Sequence, residues 1–192
     1  MSEKFLFIIA GANGSGKTTL AKELLQEYSL EFINADEIAR EINPDDFQAV
    51  RIQAGKKVFK KLDEMLSLEK SFAIETTLSG NFLVKVIKRA KAKGYESALI
   101  YSFVDNPEIC IKRIMIRVKN GGHFVPDEDV IRRYYRSKRN LWFKYRNVVD
   151  EWSVFYNGLS GYINVMKGES GNIEIFNEEL YNLFMENIDD EE

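Results

Sequence analysis

A glycine-rich motif near the N-terminus constrains this chain more than any other feature. Residues Gly11 to Thr18 read glycine, four residues, glycine, lysine, threonine, the pattern of a phosphate-binding P-loop. The apolar run Phe5 to Ala10 precedes the motif, and apolar residues at helical spacing follow it. A P-loop needs this strand-to-helix context, because the backbone N–H groups and the helix N-terminus converge on phosphate oxygens. The motif therefore predicts an α/β fold that binds a nucleoside triphosphate.

The residues of the motif have separate predicted roles. Lys17 is expected to reach the β- and γ-phosphates of ATP, and the Thr18 hydroxyl is expected to ligate Mg²⁺. The remaining loop residues are expected to surround the phosphates with their backbone. The predicted nucleotide-binding set of this segment is Gly11, Ala12, Asn13, Gly14, Ser15, Gly16, Lys17, Thr18 and Thr19.

Strand and helix patterns alternate along the rest of the chain, which favours a mostly parallel sheet covered by helices on both faces. The predicted strands are Lys4–Ala10, Leu30–Asn34, Ser71–Glu75, Glu96–Val104 and Trp152–Asn157, followed by a small hairpin of Tyr162–Lys167 and Asn172–Phe176. The predicted helices are Lys17–Tyr28, Asp45–Ser67, Phe82–Lys93, Pro107–Val118, Asp127 to about Val149, and Glu178–Asn187. We expect residues 1–188 to form one domain and 189–192 to be an acidic tail.

Composition narrows the class of protein. The chain has 192 residues, 45% of them apolar, and one cysteine, Cys110, so no internal disulfide is expected. Neither a signal peptide nor a membrane helix is apparent, which favours the cytoplasm.

The net charge is −3, but residues 110–146 carry +8 and the remainder −11. Such a local positive field suggests a confined anionic ligand, and the alternative is a solvated helix face.

Three carboxylates fall at predicted strand ends, where open parallel sheets bind ligands. Asp36 is our candidate general base for removing a proton from an acceptor hydroxyl, and the alternative is that it only caps a helix. Glu75 follows a buried strand, so it must be paired or bound to something. Asp105 has the spacing of a capping box, and we interpret it as structural. The hydroxyls after Glu75 are candidate acceptor ligands: Thr76, Thr77 and Ser79.

A basic segment is predicted to cover the triphosphate. Arg113 and Arg117 lie four apart on one helix face, and the glycine pair at 121–122 is a candidate hinge for a lid. Arginines there would neutralise charge and exclude water. His123, the only histidine, is either a ligand contact or a surface polar residue. The aromatic residues of the next helix are expected in the core: Tyr134, Tyr135, Trp142, Phe143 and Tyr145.

Taken together, these motifs resemble the zeta-toxin family of P-loop kinases, and most closely its compact bacterial branch with a Gly-Gly-His loop. The motifs are Gly11–Thr18, Asn34–Glu37, Glu75–Gly80, Phe103–Glu108, and Arg117 with Gly121–Pro126. The resemblance implies a sheet in the order 2-3-1-4-5. It also implies that the chain uses ATP and Mg²⁺ to phosphorylate the 3′-hydroxyl of the sugar of UDP-N-acetylglucosamine. On this basis Lys17 grips phosphates, Asp36 is the base, and Arg117 is a lid arginine. The implied acceptor residues are Glu75, Thr76 and Thr77.

The sequence also departs from the family. Toxins of this type carry a second basic residue just before a Thr-Pro pair, where this chain has His123 to Pro126; Arg132 or Arg133 would serve instead. Related kinases approach adenine near the end of strand five, which here is Asn157. An antitoxin, if one exists, would be a separate chain. Three alternatives stay open: a kinase for an antibiotic or another metabolite, a polynucleotide-end kinase that uses the basic segment, and a non-catalytic ATP-binding switch.

Overall fold

The computed structural model describes residues 3–26, 30–44, 46, 49–169 and 171–188. These residues form one mixed sheet with helices on both faces. The strands are β1 (Lys4–Ala10), β2 (Glu31–Asn34), β3 (Phe72–Thr76), β4 (Tyr95–Phe103), β5 (Glu151–Gly158), β6 (Gly161–Glu169) and β7 (Asn172–Ile175). The helices are α1 (Lys17–Leu25), α2 (Ala35–Ile42), α3 (Arg51–Leu68), α4 (Phe82–Ala92), α5 (Pro107–Lys119), α6 (Asp127–Phe143) and α7 (Glu178–Met185).

The sheet order is β2-β3-β1-β4-β5-β6-β7, so the predicted order of the first five strands is confirmed. Those five are parallel, whereas β5–β6 and β6–β7 pair in antiparallel fashion. The prediction of a five-stranded sheet with a separate hairpin was wrong in strand count. Gly161, with φ +102°, forms a tight turn that folds β6 back along β5, so the C-terminal hairpin continues the main sheet.

Several predicted helix ends differ from the structure. The described part of the first helix ends at Leu25, and Tyr28 lies outside the described residues. The third helix begins at Arg51, and its predicted start, Asp45, also lies outside them. Helix α6 stops at Phe143 and is followed by a 3₁₀ turn over Tyr145–Asn147, although the apolar spacing continues further. Residue 170 of the predicted hairpin turn and the acidic tail at 189–192 are likewise outside the described residues.

The core lies on both faces of β1. Leu6, Ile8 and Ile9 of this strand are fully buried, which explains its near-continuous apolar sequence. Tyr134 and Tyr145 are buried as predicted, while Phe143 is 46% exposed, so the expectation for that ring was wrong. Burial raises the pKa of the Cys110 thiol to about 12, which keeps it protonated at neutral pH. None of the helices in the described ranges is long and apolar enough to cross a membrane.

A buried lysine joins α6 to the C-terminal helix. Lys138 is 3% exposed, and its ammonium donates a 3.0 Å hydrogen bond to the carbonyl of Glu186, beyond the end of α7. The same ammonium lies 5.4 Å from the centres of the Tyr134 and Phe184 rings. Burial lowers the pKa of Lys138 to about 8, well below its usual value.

This lysine should make stability depend on pH. Between about pH 8 and pH 10 the unfolded chain binds a proton at residue 138 that the folded chain has lost, so stability rises with pH in that window. The expected gain is about 2 kcal/mol over the two pH units. Urea unfolding of the wild type and of Lys138→Met at several pH values measures it. Equal slopes in the two proteins would contradict the assignment.

Candidate active site

The P-loop backbone accepts only glycine at three positions. Gly11, Gly14 and Gly16 have φ angles of +140°, +84° and +97°. A Cβ on Gly11 would lie 2.2 Å from the Ser102 carbonyl oxygen, and one on Gly14 would lie 2.6 Å from the Cys110 carbonyl oxygen. Both obstacles are backbone atoms, which do not move aside easily. The loop therefore has the left-handed, tightly packed conformation in which successive N–H groups can face an anion.

Three side chains from neighbouring strands hold this loop from outside. Ser102 Oγ and Asn157 Nδ2 donate to the Ser15 carbonyl at 2.8 and 2.9 Å, and Tyr162 Oη donates to the Gly16 carbonyl at 2.7 Å. Arg113 in turn donates to the Asn157 carbonyl at 3.1 Å. Asn157, which we predicted near adenine, thus supports the loop in this structure. Sequence reasoning missed Ser102 and Tyr162, because their contacts depend on how β4, β5 and β6 are paired.

Lys17, Thr18 and Glu75 meet beneath the loop. Lys17 Nζ donates to the Ala12 carbonyl at 3.0 Å and lies 3.8 Å from Glu75 Oε1. The other carboxylate oxygen, Glu75 Oε2, accepts hydrogen bonds from Thr18 Oγ1 at 2.8 Å and from Asn34 Nδ2 at 3.0 Å. The side chains of Lys17 and Glu75 are only 7% and 9% exposed. The sheet register explains the cluster, since Asn34 is paired with Glu75 across β2 and β3.

This cluster fits the requirements of Mg-ATP. The Thr18 hydroxyl and the Glu75 carboxylate are oxygen ligands of the kind that Mg²⁺ prefers. The described residues contain no group of three or more His, Cys, Asp or Glu side chains that could form a metal cage. Magnesium at nucleotide sites needs no such cage, because phosphate and water oxygens supply most of its ligands. A buried Ser15 Oγ without a hydrogen-bond partner among the described residues adds a free polar atom to the loop.

Asn34, and not Asp36, caps helix α2. The Asn34 Oδ1 atom accepts from the backbone N–H groups of Asp36 and Glu37 at 2.8 and 3.3 Å. The alternative interpretation of Asp36 as a helix cap was therefore wrong, because α2 already begins at Ala35 and Asn34, two residues before Asp36, occupies the cap position. The Asp36 carboxylate is half-buried and accepts no hydrogen bond from a described residue. Its negative charge raises the pKa of both His123 and Arg133, against the lowering of each by burial.

Two cavities adjoin at the carboxyl ends of the parallel strands. A cavity of about 300 Å³, here called the nucleotide cavity, is lined by most of the predicted ATP contacts: Asn13, Gly14, Gly16, Lys17, Thr18, Thr19, Arg113, Arg117 and Asn157. The other predicted loop contacts, Gly11, Ala12 and Ser15, do not line it. A second cavity of about 380 Å³, here called the acceptor cavity, is lined by all predicted acceptor residues: Asp36, Glu75, Thr76, Thr77, Ser79, His123, Arg132 and Arg133. Four residues line both cavities: Asn13, Lys17, Asp36 and Glu75.

The hydroxyl-bearing loop after β3 is held from behind by α6. Thr77 Oγ1 and Ser79 Oγ share a 2.8 Å hydrogen bond, and Thr76 Oγ1 accepts from the Leu78 N–H at 3.0 Å. The Leu78 backbone is left-handed, with φ +57°. The side-chain amide of Asn140 donates to the Leu78 carbonyl at 2.8 Å, which stabilises this turn. The three hydroxyl-bearing residues line the acceptor cavity, and their role as acceptor ligands stays a prediction.

The glycine pair ends helix α5. Gly121 has φ +79°, and the N–H groups of residues 121 and 122 donate to the carbonyls of Val118 and Arg117 at 3.0 and 2.9 Å. A Cβ on Gly122 would lie 2.4 Å from Arg117 Cγ, so the loop packs directly on that side chain. Arg117 Nη2 donates to the His123 carbonyl at 2.7 Å, and its buried Nε has no hydrogen-bond partner among the described residues. The hinge role stays a prediction.

Asp129 fixes two arginines of the acceptor cavity, a role that sequence reasoning missed. Its carboxylate accepts from Arg132 at 2.5 Å and from Arg133 at 2.9 Å, and these hydrogen bonds and charges hold its pKa below the usual range. Arg133 Nη1 also donates to Asn13 Oδ1 at 3.0 Å, which links α6 to the P-loop. Burial and the nearby arginines lower the pKa of His123, against the negative charge of Asp36, which raises it.

The capping-box prediction at the start of α5 was wrong by one residue. Asn106 is the cap, since its Oδ1 accepts from the Ile109 N–H at 3.1 Å. Asp105 instead accepts a 2.9 Å hydrogen bond from the Tyr156 hydroxyl. Its role is structural, as predicted, but the partner lies on β5.

Comparisons with known proteins agree with this architecture. A family model described as an AAA domain, AAA_33, matches residues 6–140. A protein of Haemophilus influenzae described only as uncharacterized is 37% identical over 134 residues, which are 70% of this chain and 94% of that protein. The cytidylate kinase of Saccharolobus islandicus is 30% identical over 159 residues, which are 78% of each chain.

Two solved structures show the same fold. A chain of the AvrRxo1-ORF1:AvrRxo1-ORF2 complex with ATP has a TM-score of 0.77 at 16% identity, covering 94% of this chain and 63% of that one. Our chain thus spans less than two thirds of that relative. The PezAT chromosomal toxin-antitoxin system of Streptococcus pneumoniae has a TM-score of 0.66 at 21% identity, covering 90% and 75%. The chain belongs to the AAA_33 family, and it is a phosphotransferase of the P-loop kinase class.

Proposed function

We propose that the protein transfers the γ-phosphoryl group of ATP to a hydroxyl group of a small molecule. The observation that carries the proposal is the position of Asp36, whose carboxylate lines both cavities and accepts no hydrogen bond from a described residue. A hydroxyl acceptor must lose a proton as it attacks phosphorus, and a carboxylate between acceptor and nucleotide can take it. A phosphate acceptor, which is already ionised, requires no such base.

In the proposed reaction, the residues of the nucleotide cavity and those of the acceptor cavity have separate roles. The acceptor oxygen forms a bond to the γ-phosphorus, the bond from that phosphorus to the bridging oxygen of ADP breaks, and the hydroxyl proton passes to Asp36. Lys17 and Arg117 neutralise the charge on the phosphoryl oxygens. Thr18 and Glu75 would hold Mg²⁺, which supplies further positive charge when bound. The acceptor would be oriented by Thr76, Thr77, Ser79, His123, Arg132 and Arg133.

UDP-N-acetylglucosamine, through the 3′-hydroxyl of its sugar, is the acceptor that we propose first. The zeta-toxin-like motifs Gly11–Thr18, Asn34–Glu37 and Glu75–Gly80 support this choice, and the arginines of the acceptor cavity could hold a diphosphate. The fold likeness to the PezAT toxin-antitoxin system is consistent with it. As further parts of this proposal, the chain acts in the cytoplasm and a separate antitoxin chain binds it.

A second candidate is phosphorylation of a nucleoside monophosphate. The relatives described as cytidylate kinases, at 30% identity, favour it, and the arginines of the acceptor cavity could hold a phosphate acceptor. The first candidate is phosphorylated on a hydroxyl oxygen, which must lose a proton to Asp36. The second is phosphorylated on a phosphate oxygen, which is already ionised and needs no base.

The test is to measure ADP release from Mg-ATP with UDP-N-acetylglucosamine, with CMP, and with no acceptor, followed by mass analysis of the products. We expect one added phosphate on the sugar nucleotide, and none with Lys17→Ala. CDP formation with an unchanged sugar nucleotide would favour the second candidate. Tight ATP binding without a phosphorylated product would contradict both acceptors.

A further inference from the structure

Helix α3 contains a glycine that the fold does not require. Gly55 lies inside the helix, where glycine is less favourable than alanine. A Cβ at this position would meet no described atom within 4 Å, and the backbone does not have the positive φ that favours glycine. Neither packing nor conformation therefore explains the residue. Gly55 does, however, line the acceptor cavity. A common reason for a glycine that the fold does not need is the close approach of a ligand to the backbone.

Gly55 belongs to a row of residues on one face of α3. Residues four apart share a helix face, so Arg51, Gly55 and Phe59 form a line along the helix. Arg51 lines the acceptor cavity, and its positive charge acts on His123 in the same cavity. Along this row, Arg51 provides a cation, Gly55 leaves the backbone uncovered by a side chain, and Phe59 provides an aromatic ring.

The aromatic end of this row continues onto helix α4. The rings of Phe59 and Phe82 pack edge to face, with centroids 5.2 Å apart and an interplanar angle of 74°. Phe82 lines the acceptor cavity and is 36% exposed, while Phe59 is 49% exposed. Phe59 does not line the cavity itself, so Phe82 is the ring that a flat ligand group in the cavity can cover. Covering the exposed surface of Phe82 is favourable, because it removes apolar area from water.

We propose that Gly55 and Phe82 form a subsite for a planar aromatic ring of the acceptor, with an anionic group of the same molecule near Arg51. The chemical class that combines these two features is a nucleotide. Gly55 leaves room for the ring along the helix backbone, and Phe82, braced by Phe59, stacks on it. The inference rests on the proposed function, because it assigns the acceptor cavity to a substrate, and it identifies the residues that select that substrate.

The experiment measures binding without turnover. With the nonhydrolysable analogue AMP-PNP filling the nucleotide cavity, titration calorimetry compares UMP, CMP and AMP with ribose 5-phosphate, which has the anionic group but no ring. We expect at least one nucleoside monophosphate to bind roughly tenfold more tightly than ribose 5-phosphate, as stacking of a base on an aromatic ring provides.

Substitutions at Gly55 and Phe82 test whether these residues cause the difference in affinity. Gly55→Leu fills the open space and Phe82→Ala removes the ring, so both should abolish the difference between nucleotide and ribose 5-phosphate. Phe82→Tyr should retain it. Lys56→Leu, a matched change on the same helix outside the cavity lining, should have no effect. Gly55→Ala should raise the melting temperature, because the fold gains a better helix former.

Two results would overturn the subsite. One is that no nucleoside monophosphate binds more tightly than ribose 5-phosphate to the wild type. The other is that Gly55→Leu and Phe82→Ala weaken both kinds of ligand equally. The proposed kinase function fails in a different way: nucleotides would bind with the expected pattern, yet no acceptor would gain a phosphate. An active kinase whose acceptor has no ring would keep the function and overturn the subsite.

Discussion

Asp36→Asn is expected to lower kcat for phosphoryl transfer roughly 10²- to 10⁴-fold while leaving the affinity for ATP almost unchanged. Asparagine has the shape of aspartate but cannot take a proton from the acceptor. The substitution should not disturb helix α2, because the Asn34 cap bonds the backbone N–H of residue 36 and not its side chain. Single-turnover transfer and equilibrium ATP binding, measured on the same preparation, separate the two effects.

Glu37→Gln is the matched control for this prediction. It removes one negative charge from the neighbouring residue, which is exposed and lines neither the nucleotide nor the acceptor cavity. We expect its kcat to stay within about twofold of the wild type, since surface charge changes have small effects. If kcat fell by the same factor in both variants, the loss of a negative charge near α2 would explain the effect, and the loss of a proton acceptor would not.

The single histidine offers an independent readout of Asp36. The negative charge of Asp36 raises the pKa of His123, against the stronger lowering by burial. Asp36→Asn should therefore move the pKa of His123 further down. NMR follows this without ambiguity, because the chain has one histidine. An unchanged pKa would place the two side chains farther apart than the acceptor cavity implies.

The parts of the site that depend on local pattern could be predicted from the sequence. The P-loop needs particular residues at fixed spacing, so the sequence located both the loop and Lys17. The rule that ligands bind at the carboxyl ends of parallel strands pointed to Asp36 and Glu75, and both line the two cavities at that edge of the sheet. The same rule brought the hydroxyls after β3 into the acceptor cavity, where the structure places them.

What the sequence could not reveal depends on contacts between distant elements. Asp129 reads as an ordinary first-turn acid of α6, and only the fold brings Arg133 onto Asn13 of the P-loop. Tyr162 supports the loop because β6 returns along β5, a pairing set by a tight turn that we did not recognise. Asp36 was read as a possible cap because capping preference alone does not distinguish it from Asn34, two residues earlier.

Glu75→Gln is expected to lower kcat at least 100-fold and to raise the Mg²⁺ concentration that half-maximal activity requires. The Glu75 carboxylate accepts from Thr18 and Asn34 and faces Lys17 across 3.8 Å. Glutamine can offer one oxygen to these donors but no negative charge, so the proposed magnesium position becomes less favourable for a divalent cation. Lys17, nearly buried, also loses its nearby anion, and we expect a lower melting temperature.

The two interpretations of Glu75 predict different kinetics. If Glu75 only orients the acceptor, as the resemblance in the sequence implies, Glu75→Gln should raise the KM for the acceptor and leave the Mg²⁺ dependence unchanged. If it serves the metal and Lys17, the Mg²⁺ dependence should shift while the acceptor KM changes little. Asp36→Asn is the control substitution, because residue 36 also lines both cavities, whereas the Thr18 hydroxyl is hydrogen-bonded to Glu75. Its Mg²⁺ profile should match that of the wild type, since the carboxylate hydrogen-bonded to the P-loop threonine belongs to Glu75.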